Sequence, residues 1–336
     1  MVIMFNVGKQ GVLHMKLVVL SGGTGTPKLI EGLRRILDDK EITVIVNVAD
    51  NFWWNGLYVA PDVDTVLYLF ANLLDTEKYW GIIGDTFNFL QQAKVYGIEM
   101  DWFNIGDKDL AVHLVRTMLL KKGYTLTQVT KYLAKRLDIS AHILPATDDH
   151  IETYVLTNLG NLHIQEFLVK YRFQPEVYGI TFPGLDKAKA TEDVIEELKG
   201  ADAILIGPSN PINSITPIIK VKGIDELLMK LRKRIPIVAV SPLISGRPVS
   251  GPADKFMKAL GYEPTSYGVA KIYQGYIDAI VIDERDHFLK DRIEKELKVK
   301  VAMCDTLMKD LDSKVRLARV VIELIEAIES EGSHQV

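Results

Sequence analysis

The stretch LVVLSGGTGTPKLIEGLRRIL at residues 17–37, followed by ITVIVNVAD at 42–50, leaves this chain little choice of fold. An apolar run, a loop of glycines and hydroxyl residues, an amphipathic segment and a second apolar run spell a βαβ unit. The first strand is expected over 16–20. Leu29, Ile30, Leu33, Ile36 and Leu37 share one helix face, with Lys28, Arg34 and Arg35 elsewhere. Pro27 suits the first helical position, where the N–H it lacks would be unpaired anyway. The second run is too continuously apolar for a half-exposed strand. The sheet is therefore parallel, and its ligand edge lies at the C-terminal ends of the strands.

From about residue 64 to 137 the pattern turns helical, and DTVLYLFANLLD, DTFNFLQQAKVYG, DLAVHLVRTMLLKKG and TLTQVTKYLAKRLD read as four helices. Thr125 and Gln128 have capping-box spacing, and Gly97 and Gly123 close two of the segments. A hairpin is expected over TYVLTNLGNLHIQEFLVKY, turning at Gly160-Asn161. Parallel-sheet grammar returns in ADAILIGPSNP, IPIVAVSPLISG, DAIVIDERD and KVAMC, and a long amphipathic helix over about 313–330 closes the chain. The expected fold class is α/β. It is a Rossmann-like, mostly parallel sheet with helices on both faces and a helical insertion over about 64–140. Residues 1–15 read as an N-terminal extension and 16–336 as a single α/β domain.

Composition excludes several classes of function. A net charge of −4 gives no bulk attraction to nucleic acid or to anionic membranes, so a phosphate-bearing ligand must be held by a local site. One cysteine, Cys304, rules out an intrachain disulfide framework and a cysteine-rich zinc site; it reads as a buried structural thiol. No apolar run approaches the roughly 18–20 residues of a membrane span, and MVIMFNVGKQGVLHM is a poor secretory signal. The expected location is the cytoplasm.

The loop over 21–28 fails both familiar phosphate patterns. A Walker loop needs Lys followed by Ser or Thr, but Lys28 is followed by Leu29, which excludes a P-loop kinase. The dinucleotide fingerprint needs a glycine where Lys28 stands. What remains is a run of bare N–H groups, the hydroxyls of Ser21, Thr24 and Thr26, and a helix N-terminus, which together suit a diphosphate. A tight turn alone would also use these residues.

Acidic residues recur where strands should end: Asp50, Asp62 and Asp64, Asp85, Asp107 and Asp109, Asp148 and Asp149 beside His150. Singly, each reads as a helix cap. Together, near a phosphate cradle, they suggest Mg²⁺ or acceptance of a proton from an attacking hydroxyl. GPSNPINSITPI and SPLISGRPVSGPADKFM, each following an apolar strand, supply further backbone donors and small hydroxyls for a nucleotide. Trp53, Trp54, Tyr58, Trp80 and Trp102 gather near the acidic loops; most suit core packing, and a stacked polycyclic substrate is the alternative.

The motifs SGGTGTPKL, PDVDTVLY, GDTF, IGDKDLA, ILPATDD, IGPSNPINSI, VSPLISGRPVSGPADKFM and DERD occur in this order from residue 16 onward. In this the chain resembles the 2-phospho-L-lactate transferases of deazaflavin coenzyme biosynthesis. The resemblance implies a Mg²⁺-dependent enzyme with small-molecule substrates, working as a homodimer. Its donor would be lactyl-2-diphospho-5′-guanosine, or an enolpyruvyl analogue, and its acceptor 7,8-didemethyl-8-hydroxy-5-deazariboflavin (Fo). The terminal ribityl hydroxyl attacks the phosphorus next to the lactyl group, GMP leaves, and coenzyme F-420-0 forms. On this resemblance Gly22, Gly23, Thr24, Gly25, Thr26 and Lys28, with Gly207, Ser209, Asn210, Ser250 and Gly251, would hold the guanosine diphosphate part. Asp64 would orient the acceptor hydroxyl or share the metal with Asp50 and Asp62. Where the family has a basic acceptor contact this chain has Asn104, and Lys108 would restore the charge. A second reading is a nucleotide-sugar-binding regulator of the gluconeogenesis-factor type, which would use the same cradle without the carboxylates.

Overall fold

The structure, a computed structural model, describes residues 14–98 and 102–333. The expected extension 1–15 therefore lies largely outside the described residues, although Met15 is already buried in the core. The βαβ unit is present: β1 (Leu17–Ser21), helix α1 (Gly25–Leu33) and β2 (Ile42–Val46). β1 and β2 are buried at every position, as strands covered on both faces must be. The helix starts earlier than expected, inside the loop at Gly25, so Pro27 is its third residue. The first four N–H groups of a helix lack intrahelical partners, and a proline fits there without losing a bond.

The segment between β2 and the next sheet strand is more than helical. It opens with a hairpin, β3 (Phe52–Trp54) and β4 (Leu57–Val59), turning at Asn55-Gly56 with φ of 46° and 81°. Two left-handed residues match the twist of the flanking strands, and Asn-Gly is the preferred pair for them. Helices α2 (Pro61–Phe70), α3 (Asn88–Val95), α4 (Asp107–Lys121) and α5 (Leu126–Arg136) follow. The capping box of Thr125 and Gln128 is formed. The sheet resumes at β5 (His142–Pro145), a short strand missing from the sequence expectations.

A small antiparallel sheet follows, β6 (Tyr154–Thr157), β7 (Gly160–His163) and β8 (Val177–Thr181), with β6 in the middle. The hairpin turns at Asn158 and Leu159, two residues before the expected Gly160-Asn161, because Gly160 pairs with Thr157. The Thr157 hydroxyl donates to the Gly160 carbonyl at 2.8 Å and accepts from the Leu159 N–H at 3.1 Å, which closes the turn there. The remaining strands are β9 (Ala203–Ile206), β10 (Ile237–Val240), the two-residue ribbon β11 (Leu243–Ile244) and β12 (Arg247–Pro248), β13 (Ala279–Asp283) and β14 (Lys300–Cys304). A C-terminal helix over Leu311–Ser333 packs along α1.

The main sheet has seven strands in the order β14-β13-β10-β9-β1-β2-β5, all parallel. β1 sits between β2 and β9, with Leu17 in register with Ile42 on one side and Ala203 on the other. Here the winding reverses, and a crevice opens beyond the strand ends of a doubly wound sheet.

Candidate active site

The crevice at the switch point is walled by the loops that follow β1, β9 and β10. Gly23, Thr24, Gly25 and Lys28 come from the first, Ser209, Asn210, Asn213 and Ser214 from the second, and Ser250, Gly251 and Pro252 from the third. Asp50 and Asp62 line the same crevice, and Thr306 and Met308 close it ahead of the C-terminal helix.

The glycines after β1 are there for closeness of approach. None of Gly22, Gly23 and Gly25 has a positive φ. A Cβ on Gly25 would lie 1.9 Å from the Pro208 carbonyl oxygen, one on Gly22 2.7 Å from Ser214 Cβ, and one on Gly23 2.3 Å from Asp62 Oδ1. Gly207 is bare for the same reason, facing the side chain of Thr26. Ser209 stitches the two loops together: its Oγ accepts from the Gly22 N–H at 3.1 Å and shares a 2.7 Å hydrogen bond with Thr26 Oγ1. Gly22, Thr26 and Gly207 thus build the loop contact behind the wall. No side chain caps the start of α1, and its first turn carries no acid, so its N–H groups are left to whatever fills the crevice.

Asp50 and Asp62 face this loop from the other side, and both are buried. Asp50 accepts from Thr153 Oγ1 at 3.1 Å and from Asn213 Nδ2 at 2.9 Å. Asp62 Oδ2 accepts from Asn47 Nδ2 at 3.0 Å, while Oδ1, packed on Gly23, has no hydrogen-bond donor among the described residues. Burial pushes Asp50 up to about 6. Asp62 is driven well above the ordinary carboxylate range by burial first and then by the charge of Asp50. Asn47 holds the end of β2 rigid beneath them, accepting the Ala49 N–H at 3.0 Å.

Several expected site residues lie elsewhere. Asp64, two positions beyond Asp62 on the first turn of α2, points into α4. Its carboxylate takes both terminal nitrogens of Arg116, one of them at 3.0 Å, and His113 Nδ1 lies 3.5 Å away. Asp64, Asp109 and His113 place ligand atoms within 4.8 Å of one another. The buried guanidinium of Arg116 already bridges Asp64 and His113, so the positive charge of that cluster is the protein's own. Asn104 lies on a separate shallow pocket with Phe87, Leu90 and Lys94. Lys108 spends its ammonium on the carbonyls of Ile83 and Gly84, both at 3.1 Å.

The other acids are helix caps and loop ties. Asp85 accepts the N–H groups of Lys108 and Asp109, Asp148 that of Thr127 and Asp149 that of Lys189. Among the aromatics, Trp54 and Trp102 enter a second core with Phe52 and Phe103, whereas Trp53 and Trp80 are half exposed. Cys304 is half-buried, and its thiol is pushed up to about 12, chiefly by burial and then by Asp283. Sequence reasoning missed Thr306 and Met308, which carry no local signal, and it did not single out Asn213 within a loop it had flagged.

Fold and crevice define a doubly wound α/β protein with a cleft at its switch point, lined by an uncapped helix start and two buried carboxylates. Comparisons with known proteins narrow this. The family described as 2-phospho-L-lactate transferase CofD matches residues 17–321. The 2-phospho-L-lactate transferase of Methanosarcina acetivorans is 44% identical over 312 residues, 93% of this chain and 100% of that one. That of Methanocaldococcus jannaschii is 42% identical, covering 91% of this chain and 97% of its own length. Among solved structures, a UPF0052 family protein from Bacillus halodurans shares the fold with a TM-score of 0.63 at 18% identity, over 92% of this chain and 99% of that one. The chain belongs to the 2-phospho-L-lactate transferase family. It is a transferase, and the regulator reading gives way to that match.

Proposed function

We propose that this chain moves a phospholactyl or phosphoenolpyruvyl group from a guanosine diphosphate donor to the terminal ribityl hydroxyl of Fo, releasing GMP and forming coenzyme F-420-0. The observation that carries the reading is the family match over residues 17–321, which takes in every loop on the cleft wall. In the reaction the hydroxyl oxygen forms a bond to the phosphorus bearing the lactyl group. The bond from that phosphorus to the bridging oxygen breaks, and GMP leaves with the electron pair.

Transfer of this kind asks for positioning and neutralisation of charge more than for covalent help. Gly23, Thr24, Gly25 and the start of α1 would take the diphosphate, with Ser209, Asn210, Ser250 and Gly251 around the nucleoside. Asp50 and Asp62 fit a divalent cation, being two hard oxygen donors whose mutual repulsion and burial a cation would relieve. Mg²⁺ held there would supply charge neutralisation on the diphosphate. Whichever of the two carboxylates keeps an oxygen free of the cation would receive the proton of the attacking hydroxyl. Asp64 enters through α2: paired with Arg116, it fixes the turn on which Asp62 stands. Asn104 and Lys108 have no part in this reading.

The test is a turnover assay with Fo, Mg²⁺ and each guanylated donor, following GMP and the phosphorylated deazaflavin by mass. Wild type should form product, and Asp62→Asn and Asp50→Asn should each lose roughly 10²-fold or more in kcat. Either variant turning over like wild type would remove that residue from the site. We also take the working form to be a cytoplasmic homodimer, in keeping with water-soluble substrates and the family resemblance. Sedimentation velocity showing a monomer mass at working concentration would set the dimer aside.

A further inference from the structure

Tyr79 belongs to none of the motifs discussed above, yet it is buried and holds a left-handed backbone, with φ of 59°. Lys28 Nζ stands 4.7 Å from its ring centroid, while Lys314 Nζ approaches at the hydroxyl end of the ring. Its hydroxyl donates to Glu31 Oε2 at 2.5 Å. Lys314 donates to that same carboxylate oxygen at 2.8 Å and to the Tyr79 oxygen at 2.5 Å. Three parts of the chain meet here: α1 brings Lys28 and Glu31, the loop after α2 brings Tyr79, and the C-terminal helix brings Lys314. α1 and the C-terminal helix are held in contact at Gly32, where a Cβ would lie 2.3 Å from the Lys314 carbonyl oxygen.

The charges do not cancel. Two ammonium groups stand beside Tyr79 with one carboxylate between them, and Glu31 is committed to Lys314 and Tyr79. Lys28 has no carboxylate within ion-pair distance among the described residues, and it stands on the wall of the cleft. Burial, and then the neighbouring charge of Lys314, hold its pKa below the usual lysine value. An ammonium in that setting gains from any anion that enters, and the face of an aromatic ring is what keeps a partly desolvated ammonium in place until one does.

We propose that Tyr79 is a positioning residue for donor binding. Its ring, locked by Lys314 and Glu31, holds the Lys28 ammonium at the cleft wall for an anionic oxygen of the donor. The proposal rests on the reading of the loop after β1 as the diphosphate cradle. The anionic oxygen belongs either to the diphosphate or to the carboxylate of the three-carbon group, and GDP, which has only the former, separates them.

The experiment combines steady-state kinetics with calorimetric GDP binding in the presence of Mg²⁺, for Lys28→Met, Tyr79→Met, Tyr79→Phe and the Lys28→Met/Tyr79→Met pair. Tyr79→Met should raise donor KM roughly tenfold with little change in kcat, and Tyr79→Phe, which keeps the ring, should recover most of the affinity. The double variant should be no worse than Lys28→Met alone, because the ring acts through the lysine. GDP affinity falling alongside KM assigns Lys28 to the diphosphate; unchanged GDP affinity with raised KM assigns it to the donor carboxylate. Should Tyr79→Met fold poorly, Tyr79→Leu, which also removes the ring, is read in the same way. If Lys28→Met binds donor and GDP like wild type, the cradle reading of Lys28 fails. If Lys28→Met is impaired while Tyr79→Met is not, or if their effects multiply, the cradle stands and the positioning role is lost.

Discussion

Gly23 and Gly25 are two residues apart in one loop, but what each meets differs, and so should the outcome of adding a methyl group. At Gly25 the obstacle is the backbone oxygen of Pro208, 1.9 Å from the added Cβ, so the loops after β1 and β9 must part. At Gly23 it is a carboxylate oxygen of Asp62, 2.3 Å away, whose side chain must turn while the Asp62 Cα, at 3.3 Å, gives by a few tenths of an ångström. Gly25→Ala is expected to cost about 1–3 kcal/mol of stability and to abolish measurable GDP binding. Gly23→Ala should lose less melting temperature than Gly25→Ala while losing turnover through the displaced Asp62. Thermal melts beside GDP titrations and turnover decide the matter, and equal melting losses in the two variants would contradict it. That a ligand loop lay at 21–28 was legible from residue types alone. The reason for its bareness was not, because Pro208 and Ser214 are nearly two hundred residues away in the chain.

Among the elements, α3 and α4 cap each other. The position before α3, Phe87, offers no side-chain acceptor. Asp107, the first residue of α4, supplies it instead, accepting from the N–H groups of Asn88 at 3.0 Å and Phe89 at 2.9 Å and from the Thr86 hydroxyl at 2.6 Å. Asp85, just ahead of α3, returns the service to the N–H groups of Lys108 and Asp109. These hydrogen bonds, led by the Thr86 hydroxyl, hold Asp107 down at about 2. A carboxylate whose folded pKa lies below its unfolded value stabilises the fold fully above the unfolded value and loses that contribution as pH falls through the folded one. Amide exchange at Asn88 and Phe89 should therefore quicken, relative to the core strands, as pH is lowered from about 4 to about 2. Asp107→Asn should show the same local opening at neutral pH; unchanged protection in that variant would show that the cap is idle. Such crossed caps explain why so many acids gathered in the first half of the sequence looked like a metal-binding set. The box of Thr125 and Gln128 could be read off because both partners fall within one turn, whereas Asp107 sits 19 residues from Asn88. The hairpin at Asn55-Gly56 was legible in principle, but an aromatic run hid its strand alternation.

At the scale of the whole molecule, a buried ion pair ties α4 to α2, the helix that carries Asp62 and packs on β2 and β5 of the sheet. Arg116 on α4 is fully buried, and both its terminal nitrogens go to Asp64, while Tyr68 and His113 converge on Asp109 beside it. Asp64 and Asp62 share the first turn of α2, so the side chain that grips α4 and the one that faces the cleft are set by the same few backbone angles. Two roles for Asp64 then give different signatures. If it acts on substrate, removing it lowers turnover whatever happens to Arg116. If it acts by fixing the turn, the loss comes from an uncompensated buried charge and is repaired by taking the partner away as well. Breaking a buried pair on one side typically costs about 3–5 kcal/mol, whereas replacing both members with apolar residues of similar size is often close to neutral. Arg116→Met and Asp64→Leu should each destabilise the chain by about that amount and lower turnover. The Arg116→Met/Asp64→Leu pair should regain most of the stability and, because Asp62 again stands on a fixed turn, a measurable part of the turnover. Denaturant unfolding alongside the mass-detected assay separates the cases: a double variant that is stable yet inert would return Asp64 to the reacting groups.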